Sequence, residues 1–174
     1  YRNIYLITKD KFKVDGCINV LEKEFPFDIN TVIGYHGKTK KNNWYFQQLL
    51  KLYIWQIVHN IMDRFLIVDC DTFFLKPTQF VENNKCLYNY GNEYHMPYFD
   101  HMKRLHKDFK KKYLDKSGIC HHMIFEVKYL KEIFNLIEQN HKDKFYNIFL
   151  KQVVKEEYGT SGASEYEIYF NYIF

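Results

Sequence analysis

"FLIVDCDTFFLKP", residues 65–77, sets Asp69 and Asp71 one residue apart between two runs of core residues. Carboxylates held close together and out of bulk water repel, so they coexist only with a cation or a proton between them. In extended backbone, residues two apart point the same way, and both carboxylates can then face one ion. Oxygen donors suit Mg²⁺ or Mn²⁺, held by one or two carboxylates while phosphate oxygens and waters complete the shell. An ion that bridges a diphosphate in this way neutralises the charge that develops as the diphosphate departs. The plainer alternative is a strand-end turn with both aspartates in water.

Other residues with useful chemistry lie further along. His121 and His122 are adjacent, so on a strand they face opposite sides and cannot share an ion. One is expected within the sheet, while the other is free to face a diphosphate or complete a metal shell. Cys120 with the two histidines has the wrong spacing for zinc. Ser164 followed by Glu167 matches the S-x-x-E capping box and predicts a helix from Ser164, with Glu167 as the reciprocal cap. Glu165 lies beside it, where the helix N-terminus favours its charge and blunts it as a base. "YNYGNEYHMPYFDHMKRLH" (88–106) concentrates tyrosine, histidine and acids. Aromatic faces with polar neighbours suit a sugar or other polyol. The competing readings are surface packing, or a second metal site from Glu93, His95, Asp100 and His101.

These residues need a scaffold. "NIYLIT" (3–8), "NTVIGY" (30–35) and "RFLIVD" (64–69) read as strands, with helices over "INVLEKEF" (18–25) and "NWYFQQLLKLYIWQIVHNIM" (43–62). Strand and helix in alternation predict an α/β fold, a mostly parallel central sheet with helices on both faces. Later come "KCLYNY" (85–90), a basic helix near 101–113, a strand in "SGICHHMIFEV" (117–127), and helices near 128–140 and 143–157. No linker or repeat divides residues 1–174, so one domain is expected. In an open α/β sheet, ligands gather at the carboxyl ends of strands, and Asp69 and Asp71 occupy such an end.

The composition is that of a globular protein, 47% hydrophobic and 26% charged, with 20% aromatics and one alanine, Ala163. The net charge of +4 comes mostly from lysines scattered in "KTKKN" and "KDFKKKY", and no nucleic-acid-binding signature accompanies them. Cys17, Cys70, Cys86 and Cys120 are too widely spaced for a zinc ribbon or a disulfide scaffold. A reducing, cytoplasmic setting fits best. No apolar run approaches the roughly 18 residues of a membrane span, and no signal peptide is visible. The chain opens within strand-like sequence at Tyr1 and closes within helix-like sequence at Phe174, so part of either end is expected to be missing.

"FLIVDCDTFFLKP" resembles the D-x-D segment of the GT-A nucleotide-diphospho-sugar transferases, an apolar strand, D-x-D, then an apolar tail closed by proline. "WYFQQLLKLYIW" resembles the "Y-x-R" helix that precedes D-x-D in glycogenin-like and galactosyltransferase-like members. "SGICHHMIF" is similar to their "N-[SA]-G" strand, and "SEYEIYFNYIF" to their "D-Q-D" helix. These segments cover most of residues 44–174 in the family's order. The resemblance implies a metal-dependent glycosyltransferase taking a sugar from a nucleotide-diphosphate donor to a glycan, protein or other hydroxyl acceptor. It implies Asp69 and Asp71 as ligands of Mn²⁺ or Mg²⁺, with Asp71 and Glu165 catalytic. Tyr45, Gln48, Lys51, Ser117, Gly118, His122 and Glu167 would bind substrate, and the sugar would keep its configuration.

The departures from that pattern are specific. Gln48 stands where the family has arginine, which passes the diphosphate contact to Lys51. Ser117 follows Lys116 instead of asparagine, and the late metal-binding histidine has no counterpart up to Phe174. One alternative is a non-catalytic glycan- or nucleotide-binding module on a degenerate transferase fold. A haloacid-dehalogenase-type phosphatase fits less well. Its D-x-D-x-T pattern meets Phe73 at the threonine position, and no later strand ends in an acidic pair.

Overall fold

The structure, a computed structural model, describes residues 3–174. Two parallel strands open it, β1 (Ile4–Thr8) and β2 (Cys17–Leu21), in register from Ile4 opposite Cys17 to Thr8 opposite Leu21. The helices α1 (Ile29–His36) and α2 (Asn42–Ile57) follow. β3 (Arg64–Val68) carries the chain to Asp69. A small hairpin of β4 (Val81–Glu82) and β5 (Lys85–Cys86) and the helix α3 (Met96–Leu105) come next. β6 (His122–Glu126) then runs directly into α4 (Val127–His141), and α5 (Phe145–Lys151) and α6 (Glu165–Ile173) complete the fold.

The protein is therefore a mixed α/β domain, but its sheets are short and the expected mostly parallel central sheet is not formed among the described residues. The strands make three two-stranded sheets, and only β1–β2 is parallel. β3 pairs antiparallel with β6, from Arg64 opposite Glu126 to Val68 opposite His122. Two early elements also exchange type. "NTVIGY" is helical because Asp28 caps it: the Asp28 carboxylate accepts from the Thr31 N–H at 2.8 Å, and the Thr31 hydroxyl accepts from the Asp28 N–H at 3.1 Å. That reciprocal cap, with Gly37 at φ 70° closing the far end, outweighs the strand preference of Val32 and Ile33. "INVLEKEF" instead gives β2 and then one short 3₁₀ turn over Glu22–Glu24. The basic helix near 101–113 lies earlier, at α3, and stops at Leu105, after which His106 adopts extended backbone. The helix near 143–157 breaks after Lys151 and resumes as a 3₁₀ turn at Lys155–Glu157.

α2 lacks glycine and proline and is buried on nearly every side, from Asn42 through Ile54. A helix covered this widely belongs in the middle of a domain. It packs with α1 and α6 inside one contiguous core that also takes in Phe125 of β6, Ile133 of α4, Phe149 of α5 and Tyr169 of α6. Phe134 and Phe145 stack at 4.1 Å and join α4 to α5. The Tyr53 hydroxyl accepts from the Tyr146 N–H at 3.0 Å, joining α2 to α5. Among the described residues no helix is long and apolar enough to cross a membrane.

Candidate active site

The antiparallel ladder continues one step beyond β3. The Asp69 N–H donates to the His121 carbonyl at 2.9 Å, so these residues face each other across the two strands. Directly opposite residues stand close on the same face of a sheet. Here His121 Nδ1 lies 3.4 Å from Asp69 Oδ2. The chain then turns, with the Thr72 N–H donating to the Asp69 carbonyl at 3.0 Å. This turn, and not extended alternation, folds Asp71 back towards Asp69. Asp69, Asp71 and His121 each offer a donor atom, and these atoms lie within 4.8 Å of one another. Asp69 is half-buried, while Asp71 and His121 face solvent.

Behind Asp69 stands Lys51 of α2. Its Nζ forms an ion pair with Asp69 Oδ1 at 2.6 Å and donates to Glu165 Oε1 at 2.8 Å. The ammonium also sits 4.5 Å over the Tyr166 ring. Burial opposes its charge, but Glu165, Tyr166 and Asp69 outweigh that and hold its pKa well above the ordinary lysine value. Lys51 is only 8% exposed and Glu165 only 4%. Three carboxylates (Asp69, Asp71, Glu165) against one ammonium leave two negative charges in the cluster. A divalent cation balances that charge, and two carboxylates with one imidazole fit Mn²⁺ better than Mg²⁺, which prefers oxygen alone.

Tyr45, Gln48 and Lys51 are spaced three residues apart, which puts them on successive turns of α2 facing the start of α6. The Tyr45 hydroxyl donates to the Glu157 carbonyl at 2.6 Å and accepts from the Gly162 N–H at 2.9 Å. Gln48 Oε1 accepts from the Glu165 N–H at 3.0 Å, while its Nε2 is buried without a partner. All three therefore hold the N-terminus of α6 in place. Ser164 caps α6 through Glu167 N–H at 3.2 Å, as its sequence predicts. Glu167 does not return the expected reciprocal bond. Its carboxylate accepts from the Ser117 hydroxyl and from Asn171 Nδ2, both at 2.6 Å. Gly118 packs so tightly that a Cβ there would lie 2.4 Å from Phe170 Cβ.

Of the residues assigned by sequence, Asp69, Asp71, Lys51 and Glu165 come together. Tyr45, Gln48, Ser117, Gly118 and Glu167 form the buried frame beneath them and offer no exposed donor to a ligand. His122 points elsewhere, towards Asn89 at 3.1 Å and the rings of Phe74 and Phe80. His121 takes its place, and Tyr166 joins as the ring under Lys51. Only the ladder register selects between the two histidines. The alternative metal set disperses: His95 bonds the Ser161 carbonyl, His101 bonds the Phe149 carbonyl, and Asp100 lies 3.9 Å from Lys103. No curated protein and no solved structure matches the chain. One family model does, over residues 13–174, and with that span the chain belongs to DUF6492, a family of unknown function.

Proposed function

We propose that this protein is a metal-dependent glycosyltransferase that moves a sugar from a nucleotide-diphosphate donor to a hydroxyl acceptor. The observation that carries the reading is the convergence of Asp69, Asp71 and His121 on one exposed point, backed by the Lys51–Glu165 pair. Asp69, Asp71 and His121 would hold Mn²⁺, or Mg²⁺ with a weaker third contact. When bound, the ion supplies Lewis-acid assistance to the departing diphosphate. Lys51 pairs with Asp69 from behind and orients it. The bond from the anomeric carbon to the diphosphate oxygen breaks, a bond to the acceptor oxygen forms, and the acceptor proton leaves with the diphosphate. Glu165, engaged by Lys51 and closed off from solvent, is a poor general base, and this supports transfer with retained configuration. The wide cysteine spacing supports a cytoplasmic setting for it.

Calorimetric titration of UDP with and without Mn²⁺ tests the reading, together with release of free sugar from a UDP-sugar. Binding should need the ion. Asp71→Asn should slow sugar release by about a thousandfold, the loss expected when several kcal/mol of leaving-group stabilisation disappear. Asp71 is exposed, so the metal-free variant should melt as the parent does. Binding that ignores the ion, or turnover that survives Asp71→Asn, rejects the mechanism.

One observation favours a second reading, a binding module without turnover. The Lys51 charge is already shared between Asp69 and Glu165, so it reaches a diphosphate only by leaving them. Ion-dependent UDP binding with no sugar release would select this second reading.

A further inference from the structure

Most of the net charge resides in one short segment. Residues 107–116 hold five lysines against Asp108 and Asp115, which is +3 of the chain's +4. The segment is not helical, yet it is fixed. Phe109 is buried against the Tyr172 ring at 5.7 Å, and the Lys112 N–H donates to Asn171 Oδ1 at 2.8 Å. Ser117 and Gly91 exchange both backbone hydrogen bonds at 2.9 Å, which fastens this segment to the tyrosine-rich loop of residues 88–94.

Where the two segments meet, lysines lie on aromatic rings. Lys116 Nζ is 4.7 Å from the Tyr90 ring centre and 5.0 Å from that of Tyr113. Lys111 Nζ is 5.6 Å from the Tyr94 ring and donates to the Lys116 carbonyl at 2.6 Å. Tyr90 is 60% exposed and Tyr94 57%. Ser117 leads within four residues to His121, and Asn89 bonds His122, so the strip is tied to the strand that carries one residue of the candidate metal centre.

We propose that this strip is an acceptor subsite for an acidic oligosaccharide, an inference that rests on the glycosyl-transfer reading. Sugar rings present C–H faces to Tyr90 and Tyr94, and the phenol hydroxyls meet sugar hydroxyls. Lys116 and its neighbours meet carboxylate, sulfate or phosphate groups on the same chain. A neutral glycan uses only the first half of this chemistry. Glu93 lies in the tyrosine loop and works against any anion that extends past Tyr94. Single-stranded nucleic acid also stacks on aromatics beside cations. The polar tips of these rings favour the sugar.

Calorimetry with the protein in EDTA and without donor reads the strip alone, since the metal centre is then silent. The probes are a short oligogalacturonide, a neutral malto-oligosaccharide of equal length, and an oligouridylate. The oligogalacturonide should bind best and weaken with added salt. Tyr90→Ala and Lys116→Gln should each weaken it by about tenfold, and Lys116→Arg should restore it. Absent binding, equal binding of the oligouridylate, or variants that bind like the parent overturn the subsite. Oligogalacturonide binding that responds to these variants, in a protein that releases no sugar from any donor, upholds the strip and rejects the transferase instead.

Discussion

At the scale of single residues, Lys51 decides more than the aspartates it serves. A nearly buried ammonium stands between Asp69 and Glu165 and pairs with both. Lys51→Met should therefore destabilise the metal-free protein by about 3 kcal/mol, because it strands buried charge. Denaturant unfolding measures this. Adding Glu165→Gln to Lys51→Met should recover part of the loss, whereas a purely steric role for the lysine predicts no recovery. The sequence places Lys51 one turn beyond Gln48, and the resemblance gives it a diphosphate to face, but neither points to Asp69 and Glu165 as its partners. Its partners are 18 and 114 positions away, so their meeting depends on how α2, β3 and α6 dock. Asp69 and Asp71 were legible because two charges have no reason to interrupt apolar sequence otherwise. His121 was not separable from His122, since both have one chemistry and differ only in which face they occupy.

Elements read most reliably where the local signal and the packing agree. α2 has no helix breaker and is buried along most of its length, and Ser164 starts α6 because its hydroxyl reaches the Glu167 N–H. α1 departs from its strand-like sequence because the cap at Asp28 overrides its β-branched residues, while in β2 Ile18 and Val20 prevail over the helix-favouring "LEKE" that follows them. The antiparallel pairing of β3 with β6 had no signal at all, because β6 is apolar at three successive positions and shows no alternation. How closely elements approach is clearest at Gly118, where the backbone before β6 touches α6. Gly118→Ala should cost about 2 kcal/mol, the usual penalty for forcing atoms into a packed core. The Cβ meets the base of the Phe170 side chain, which cannot swing away. A thermal melt checks this, and Phe170→Ala in the same chain should restore part of the loss.

The whole molecule carries a pH sensitivity unrelated to its site. His101 is fully buried, with Nε2 on the Phe149 carbonyl at 2.9 Å and Nδ1 without a partner. Burial lowers its pKa from 6.5 to about 3, and burial lowers that of His36 as well. Below pH 6.5 the unfolded chain takes up protons that the folded chain refuses until near pH 3. The unfolded state then binds more protons, so stability is full above pH 6.5 and falls as the pH drops through this window. For His101 the fall is about 1.4 kcal/mol per pH unit. Urea midpoints between neutral and mildly acid pH should show it, and His101→Gln should flatten the slope. An unchanged slope removes His101 as the cause.

The cross-strand pairing of Asp69 with His121 also bears on how mutations move the site. A slip of β6 by one residue brings His122 opposite Asp69, so the doublet leaves an imidazole there in either frame. That slip also carries Glu126 into the fully buried place of Phe125, opposite Phe65. The slipped strand would therefore bury a charge where a ring now packs on Phe65 and Tyr169. The native register instead leaves Glu126 at the end of the ladder, where Arg64 Nε meets its Oε2 at 3.1 Å and its N–H donates to the Tyr169 hydroxyl at 2.8 Å. Which histidine faces the aspartates is thus decided at the other end of the strand, by the boundary between Phe125 and Glu126.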